Sequence, residues 1–214
     1  MAFPTTNAAQ ELPAVNEILA SVGQAPVTTL DQTNPDVAIA YDTLLNVSRE
    51  VQSEGWTFNT EEWVKFTPDN NDEIEIANNI LQIDLHDEVD NEYEAIRRVD
   101  STDGKVKLYE KINHTYTWDS SKWDSGVRCN VVYHLDWVNL PRPIQDYITA
   151  RAAAIVSSRI VGDAQQYGIL QAKELYNRAQ ALEYECNQGD YTFFGHQRGK
   201  KVYTSYQPYK ALLR

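Results

Sequence analysis

The chain has 214 residues, 42% hydrophobic and 23% charged, which is enough apolar material for one core or two small lobes and carries no compositional sign of disorder. A formal net charge of -12 and a pI near 4.7 give an average surface that repels phosphate backbones and anionic headgroups, which argues against DNA binding over a broad face. Two cysteines, Cys129 and Cys186, stand far apart without CxxC spacing, so neither a disulfide framework nor a zinc site is indicated. Residues 1–10 lack the basic and apolar regions of a signal peptide, and no apolar run reaches the roughly 20 residues of a bilayer helix, so the expectation is a soluble product made in a cytoplasm, with no membrane partner.

Leu12, Val15, Ile18, Leu19 and Val22 recur at helical spacing, and Gly23 with Pro26 supplies the stop; Pro13 is expected in the first turn, where its missing N–H costs nothing. A second helix starts at Asn34-Pro35-Asp36, with Asn34 as cap and Pro35 at the first helical position, and runs to Gly55 along a stripe of Val37, Tyr41, Leu44, Val47 and Val51. Beyond it, Trp56, Phe58, Trp63, Val64 and Phe66 lie in a Thr-rich aromatic stretch, and residues 73–76 and 80–85 alternate at period two, as strands do. Ala95 to Val99, the turn Asp103-Gly104 and Val106 to Tyr109 read as a hairpin, and Val127 to Trp137 as a further strand.

Leu140-Pro141-Arg142-Pro143 launches a third helix with Ile144, Tyr147, Ile148, Ile155 and Ile160 on its buried side and Gly162 as its stop. A fourth opens at Asp163, with Tyr167, Leu170, Leu175, Ala179 and Leu182 as its apolar stripe to about Glu185, a rod of roughly 30 to 35 Å. Helices at both ends and strands between predict an α+β fold: a discontinuous helical bundle from 1–55 and 140–188, a β-rich lobe over 56–139, and an arm over 189–214.

That arm departs from the rest in composition. From Gly189 onward Asp190 is the only acid, whereas Arg198, Lys200, Lys201, Lys210 and Arg214 are basic and are interleaved with Tyr191, Phe193, Phe194, Tyr203, Tyr206 and Tyr209. Basic and aromatic residues together suit a docking arm for an acidic protein partner; the rival reading is single-stranded nucleic acid. The opposite excess sits between Asp69 and Asp103, with Asp72, Glu73, Glu75, Asp84, Asp87, Glu88, Asp90, Glu92 and Glu94 between them, and lacks the spacing of a calcium-binding EF-hand loop. Solvation is the plain purpose of such a run; a carboxylate-lined rim repelling passing DNA is the sharper one.

Catalytic constellations are thin. Asp119 and Asp124, bracketed by Trp118 and Trp123, are the most suggestive carboxylate pair for glycoside chemistry, but a Trp-Asp loop is more often a strand-end plug with a turn cap. His86, His114, His134 and His196 form no metal motif; His134 and Asp136 are expected on one strand face without a nucleophilic serine to serve. There is no Walker loop and no GxGxxG, so the reading assigns no catalytic residue, cofactor or metal.

Two segments carry more than periodicity: ELPAVNEILASVGQAPVTTL at 11–30, and Gln52-Ser53-Glu54-Gly55-Trp56-Thr57-Phe58-Asn59. Both resemble the tail tubular protein A family, the head-to-tail adaptors of T7-like short-tailed phages, in which an AVN-ILASIG-PPV-TL helix and turn opens the chain and an IQS-GW-FN element closes the second helix. The likeness continues more weakly through Trp123-Asp124-Ser125-Gly126 and the helix onset near residue 140. It implies a virion structural protein without enzymatic activity, in a homo-dodecameric ring between the portal and the tail nozzle (tail tubular protein B). Tail fibres would attach outside, and DNA would pass the bore without sequence-specific contacts. On the motif positions, Val15, Ile18, Leu19, Trp56 and Phe58 are implied core or subunit-contact residues. In related adaptors the C-terminal arm reaches into the portal, a role that here falls to Arg198, Lys200, Lys201, Tyr203, Tyr206, Tyr209, Lys210 and Arg214, where this sequence departs from the family pattern.

Overall fold

A computed structural model of the chain describes residues 8–31, 33–86, 93–119, 121–123 and 126–189. These form helices α1 (Ala8–Ser21) and α2 (Pro35–Gln52), strands β1 (Thr60–Phe66), β2 (Ile80–Leu85), β3 (Ala95–Val99), β4 (Val106–Glu110) and β5 (Val127–Tyr133), and helices α3 (Arg142–Ile160) and α4 (Ala164–Gly189). Flanking helices around antiparallel strands make this an α+β fold, the class the segregated pattern predicted. The chain divides into two compact units: Met1–Gln10 with Leu45–Leu140, and Glu11–Leu44 with Pro141–Arg214.

In the helical unit the core is supplied by Val15, Ile18 and Leu19 of α1, Val37, Ala40, Tyr41 and Leu44 of α2, and Ile144, Tyr147, Ile148 and Val156 of α3. The start of α2 follows the expected chemistry: the Asn34 side chain accepts from the Asp36 N–H at 3.0 Å, and Pro35 opens the helix. Pro13 differs from expectation. It is the sixth residue of α1 and not in the first turn, so the carbonyl four residues back lacks its helical donor, and the helix starts farther upstream than the apolar stripe indicates. The buried side of α3 also differs, because Ala150, Ala152, Ala153 and Ala154 are buried almost all round the helix, whereas Ile155 is half-buried and Ile160 is exposed. Small side chains allow close approach on several sides, and the helix end beyond Ser157 runs out of the core.

In the β unit a three-stranded antiparallel sheet has the order β1-β5-β2, and β3 and β4 form a hairpin in register from Ala95 opposite Glu110 to Val99 opposite Val106. Its loop spans residues 100–105, with Gly104 at φ +72°. Ile74, Ile76, Ile83, Leu108, Trp118, Cys129 and Val131 belong to the core of this unit. Ile74 and Ile76 alternate inward as expected, but residues 73–76 make only isolated bridges, Glu73 to Thr117 and Glu75 to Lys107, and no strand. Strand β5 stops at Tyr133 and not at Trp137, so His134 and Asp136 do not share a strand face. The His134 N–H donates to Asn79 O at 2.6 Å, Leu135 turns to side-chain partners, and a 3-10 turn takes Trp137–Asn139. Register slips occur in both outer strands, between Glu61 and Val64 in β1 and between Ile80 and Gln82 in β2. At the first, Trp63 holds φ +66°, a left-handed conformation that is costly for a bulky side chain.

Candidate subunit interface

Helix α4 begins as its sequence directs: the Asp163 side chain accepts from the Gln165 N–H at 2.9 Å and its carbonyl from Tyr167 at 3.0 Å. It runs 26 residues, about 39 Å. Its inward face is largely polar, around half-buried Leu170 and fully buried Ala181. Gln166 Nε2 donates to Ser21 O at 3.0 Å, Asn177 Nδ2 to Asp146 O at 3.1 Å, and Arg178 Nη1 to the Tyr147 hydroxyl at 3.0 Å, while Lys173 pairs with Glu17 and Glu174 lies against Arg151. Of the expected stripe only Leu170 is half-buried. Tyr167, Leu175, Ala179 and Leu182 face outward, together with Ile169, Ala172 and Tyr176, and Leu175 stays 63% exposed. The helix therefore has Lys173, Glu174 and Arg178 committed to its own chain and most of its large apolar groups in water, the usual mark of a contact surface.

The two motif segments are clasps between side chains and distant backbone. Asn16 Nδ2 donates to Val27 O at 3.0 Å and its Oδ1 accepts from Val27 N–H at 2.8 Å, which folds the segment after Gly23 (φ +77°) back on α1. Gln52, fully buried, accepts from Leu135 N–H at 2.8 Å and donates to Leu135 O at 3.2 Å and Ser48 Oγ at 3.0 Å. Buried Asn59 accepts from Trp56 N–H at 2.8 Å and donates to Gln52 O at 2.9 Å and Tyr133 O at 2.8 Å. Trp56 is buried with its Nε1 donating to Val51 O at 2.7 Å. Of the residues singled out by resemblance, Val15, Ile18, Leu19 and Trp56 are buried within the chain and Phe58 is half-buried. Asn16, Gln52 and Asn59 were missed, although each lies in a quoted motif where an apolar criterion passes over an amide.

The family described as Tail tubular protein (Tube) matches residues 12–191, most of the chain and both motifs. The chain belongs to the tail tubular protein family. A comparison with curated proteins finds no match. This tail tubular protein is a structural component of a phage tail, and among its described residues no helix is long and apolar enough to cross a membrane.

The acidic run of this tail tubular protein is partly spent on its own lysines. Lys107 is buried, with Nζ 2.7 Å from Glu73, 2.8 Å from Asp100 and 2.8 Å from Asp103; Lys105 pairs with Glu75 at 2.7 Å and Lys111 with Glu94 at 2.6 Å. Hydrogen bonding to the ammonium holds Asp100 down to about 2, and the three carboxylates raise Lys107 well above the ordinary lysine range. Asp87, Glu88, Asp90 and Glu92 lie outside the described residues.

Trp118, the candidate sugar platform, is fully buried with Nε1 donating to Leu108 O at 3.0 Å, and Trp123 packs edge-on against it with ring centroids 5.7 Å apart. Asp119 caps its own turn through the N–H and hydroxyl of Ser121, bonds that lower its pKa, so it is poorly suited to act as a general acid. Asp124 lies outside the described residues. His86 stacks on Trp63 at 3.8 Å between centroids, His114 Nδ1 faces the Tyr109 hydroxyl at 3.3 Å, and burial lowers the pKa of His134. Among the described residues no group of His, Cys, Asp and Glu could hold a metal ion. The arm residues Arg198, Lys200, Lys201, Tyr203, Tyr206, Tyr209, Lys210 and Arg214, with His196, lie outside the described residues.

Proposed function

We propose that this tail protein is the A-type, head-to-tail adaptor: copies close into a homo-dodecameric ring between the portal and the tail nozzle, DNA passes the bore without sequence-specific contacts, and tail fibres attach outside. The observation that carries the reading is the outer face of α4, whose Ile169, Leu175, Tyr176 and Leu182 remain 45–67% exposed and call for a cover in the assembled particle. Subunit association is assigned to the helical segments 1–55 and 140–188, and the β-rich segment 56–139 to the particle's exterior. The basic, aromatic arm, Arg198 to Arg214, docks on the portal by charge and ring stacking. Each contact is weak alone and gains by repetition around a closed ring, so assembly is templated by the portal.

Electron microscopy of the purified protein mixed with portal tests the proposal. The expected image is a collar beneath the portal that Leu175→Glu with Leu182→Glu abolishes and that removal of residues 198–214 detaches. A collar indifferent to both changes, or a protein found elsewhere in the virion, would overturn it.

A further inference from the structure

We infer that two free copies of this chain pair through α4, antiparallel and about a two-fold axis, with Leu175 and Leu182 of each seated against Ala179 and Ala172 of the other. The inference uses the same exposed face as the adaptor proposal but concerns the unassembled protein. Six outward positions, Gly168, Ala172, Leu175, Ala179, Leu182 and Cys186, succeed one another at spacings of four and three, the repeat of a helix that packs along another helix. Their sizes alternate in a way that is its own complement. Reversing α4 about Asn177 superimposes 168 on 186, 172 on 182 and 175 on 179, so every leucine meets an alanine and glycine meets cysteine. A parallel pair would stack leucine on leucine and alanine on alanine, crowding one layer and leaving the next loose.

Two further observations fit a helix as the occupant. A Cβ added at Gly168 would meet nothing within 4 Å, so nothing inside the chain calls for so poor a helix former in the second turn of α4, whereas a closely approaching second helix does. Lys173, Glu174 and Arg178 are held by Glu17, Arg151 and Tyr147 of their own chain and none of the six seam positions is charged, while exposed Glu183 stands at the margin of the seam, where its carboxylate can stay in water. The large side chains on this face and the small ones between them expose on the order of 600 Å² per copy, so a pair would bury about 1,200 Å², the lower limit of stable specific interfaces. The pair is thus weak enough to be displaced. A two-fold contact closes on itself and cannot propagate a ring, so pairing hides the seam until the portal supplies a competing surface.

Sedimentation of the full-length protein at tens of micromolar should give a dimer, and Leu175→Glu a monomer of unchanged helicity with association weakened roughly a hundredfold or more. Orientation is read by disulfides. In the antiparallel pair the two Cys186 residues lie about 27 Å apart along the axis, so the natural protein should resist cross-linking on mild oxidation, whereas Gly168→Cys should give a covalent dimer bridged between positions 168 and 186. A monomer at these concentrations, or natural protein that cross-links through Cys186, refutes the pairing. A monomer that still forms collars on the portal refutes the pairing alone; a dimer of the expected orientation that never forms collars refutes the adaptor reading alone.

Discussion

Replacing Asn59 with alanine removes three hydrogen bonds at once: to the N–H of Trp56 and to the carbonyls of Gln52 and Tyr133, all at 2.8–2.9 Å around a side chain only 2% exposed. Each bond is worth about 1 kcal/mol net, and partners stranded away from water add to the loss, so the expected cost is about 3 to 5 kcal/mol. That is a large share of the 5–15 kcal/mol by which a domain is usually stable. Urea unfolding followed by tryptophan fluorescence and circular dichroism measures it as a fall in midpoint at unchanged slope. Gln52→Ala should cost a similar amount, and the double variant less than the sum, because both amides fasten the end of α2 to residues 133–135. Ser53→Ala, whose hydroxyl donates only to the Arg49 carbonyl in the last turn of α2, should stay within about 0.5 kcal/mol. A loss under about 1 kcal/mol at Asn59, or strict additivity with Gln52, would refute the clasp.

The Lys107 cage predicts an acid-sensitive term. Asp100 is held at about 2 against about 3.9 in an unfolded chain, so its stabilisation is complete above the unfolded value and is lost as pH falls from about 4 to 2. Asp100→Asn should lower Tm at neutral pH and flatten its decline across that interval; parallel curves would refute the assignment. Burial pushes the Cys129 thiol up to about 12 while Cys186 is exposed, so Ellman's reagent at pH 8 should titrate one thiol in the native protein and two in urea. Ile148→Ala should cost about 2 to 5 kcal/mol and Ile160→Ala under about 1, since the first is fully buried and the second exposed; similar values by urea unfolding would contradict the placement of α3.

Local chemistry was legible in the sequence and long-range geometry was not. The cap at Asn34, the hairpin around Gly104 and the inward alternation of Ile74 and Ile76 depend on residues a few positions apart, and the structure keeps them. The orientation of α4 depends on Ser21, Glu17, Asp146 and Tyr147, which lie 31 to 156 positions away, and polar bonds to them outweigh the pull of its apolar stripe. An apolar pattern alone marks Leu175 and Leu182 as a stripe and does not say whether that stripe faces the chain's own core or solvent. The clasps were hidden for the same reason: Gln52 finds its partner 83 residues on, and an amide there looks like any exposed polar residue. The acidic run concealed Lys107, whose three partners meet only after the hairpin forms.

The irregular outer strands have a consequence for how such a protein survives its own abundance. A straight, flat strand border invites a second molecule to zip alongside, and the stack then grows without limit. In the three-stranded sheet each border is broken by an extra residue, one of them at the left-handed Trp63. Runaway polymerisation through backbone pairing is thereby discouraged at concentrations where helical surfaces are still free to find their intended mates.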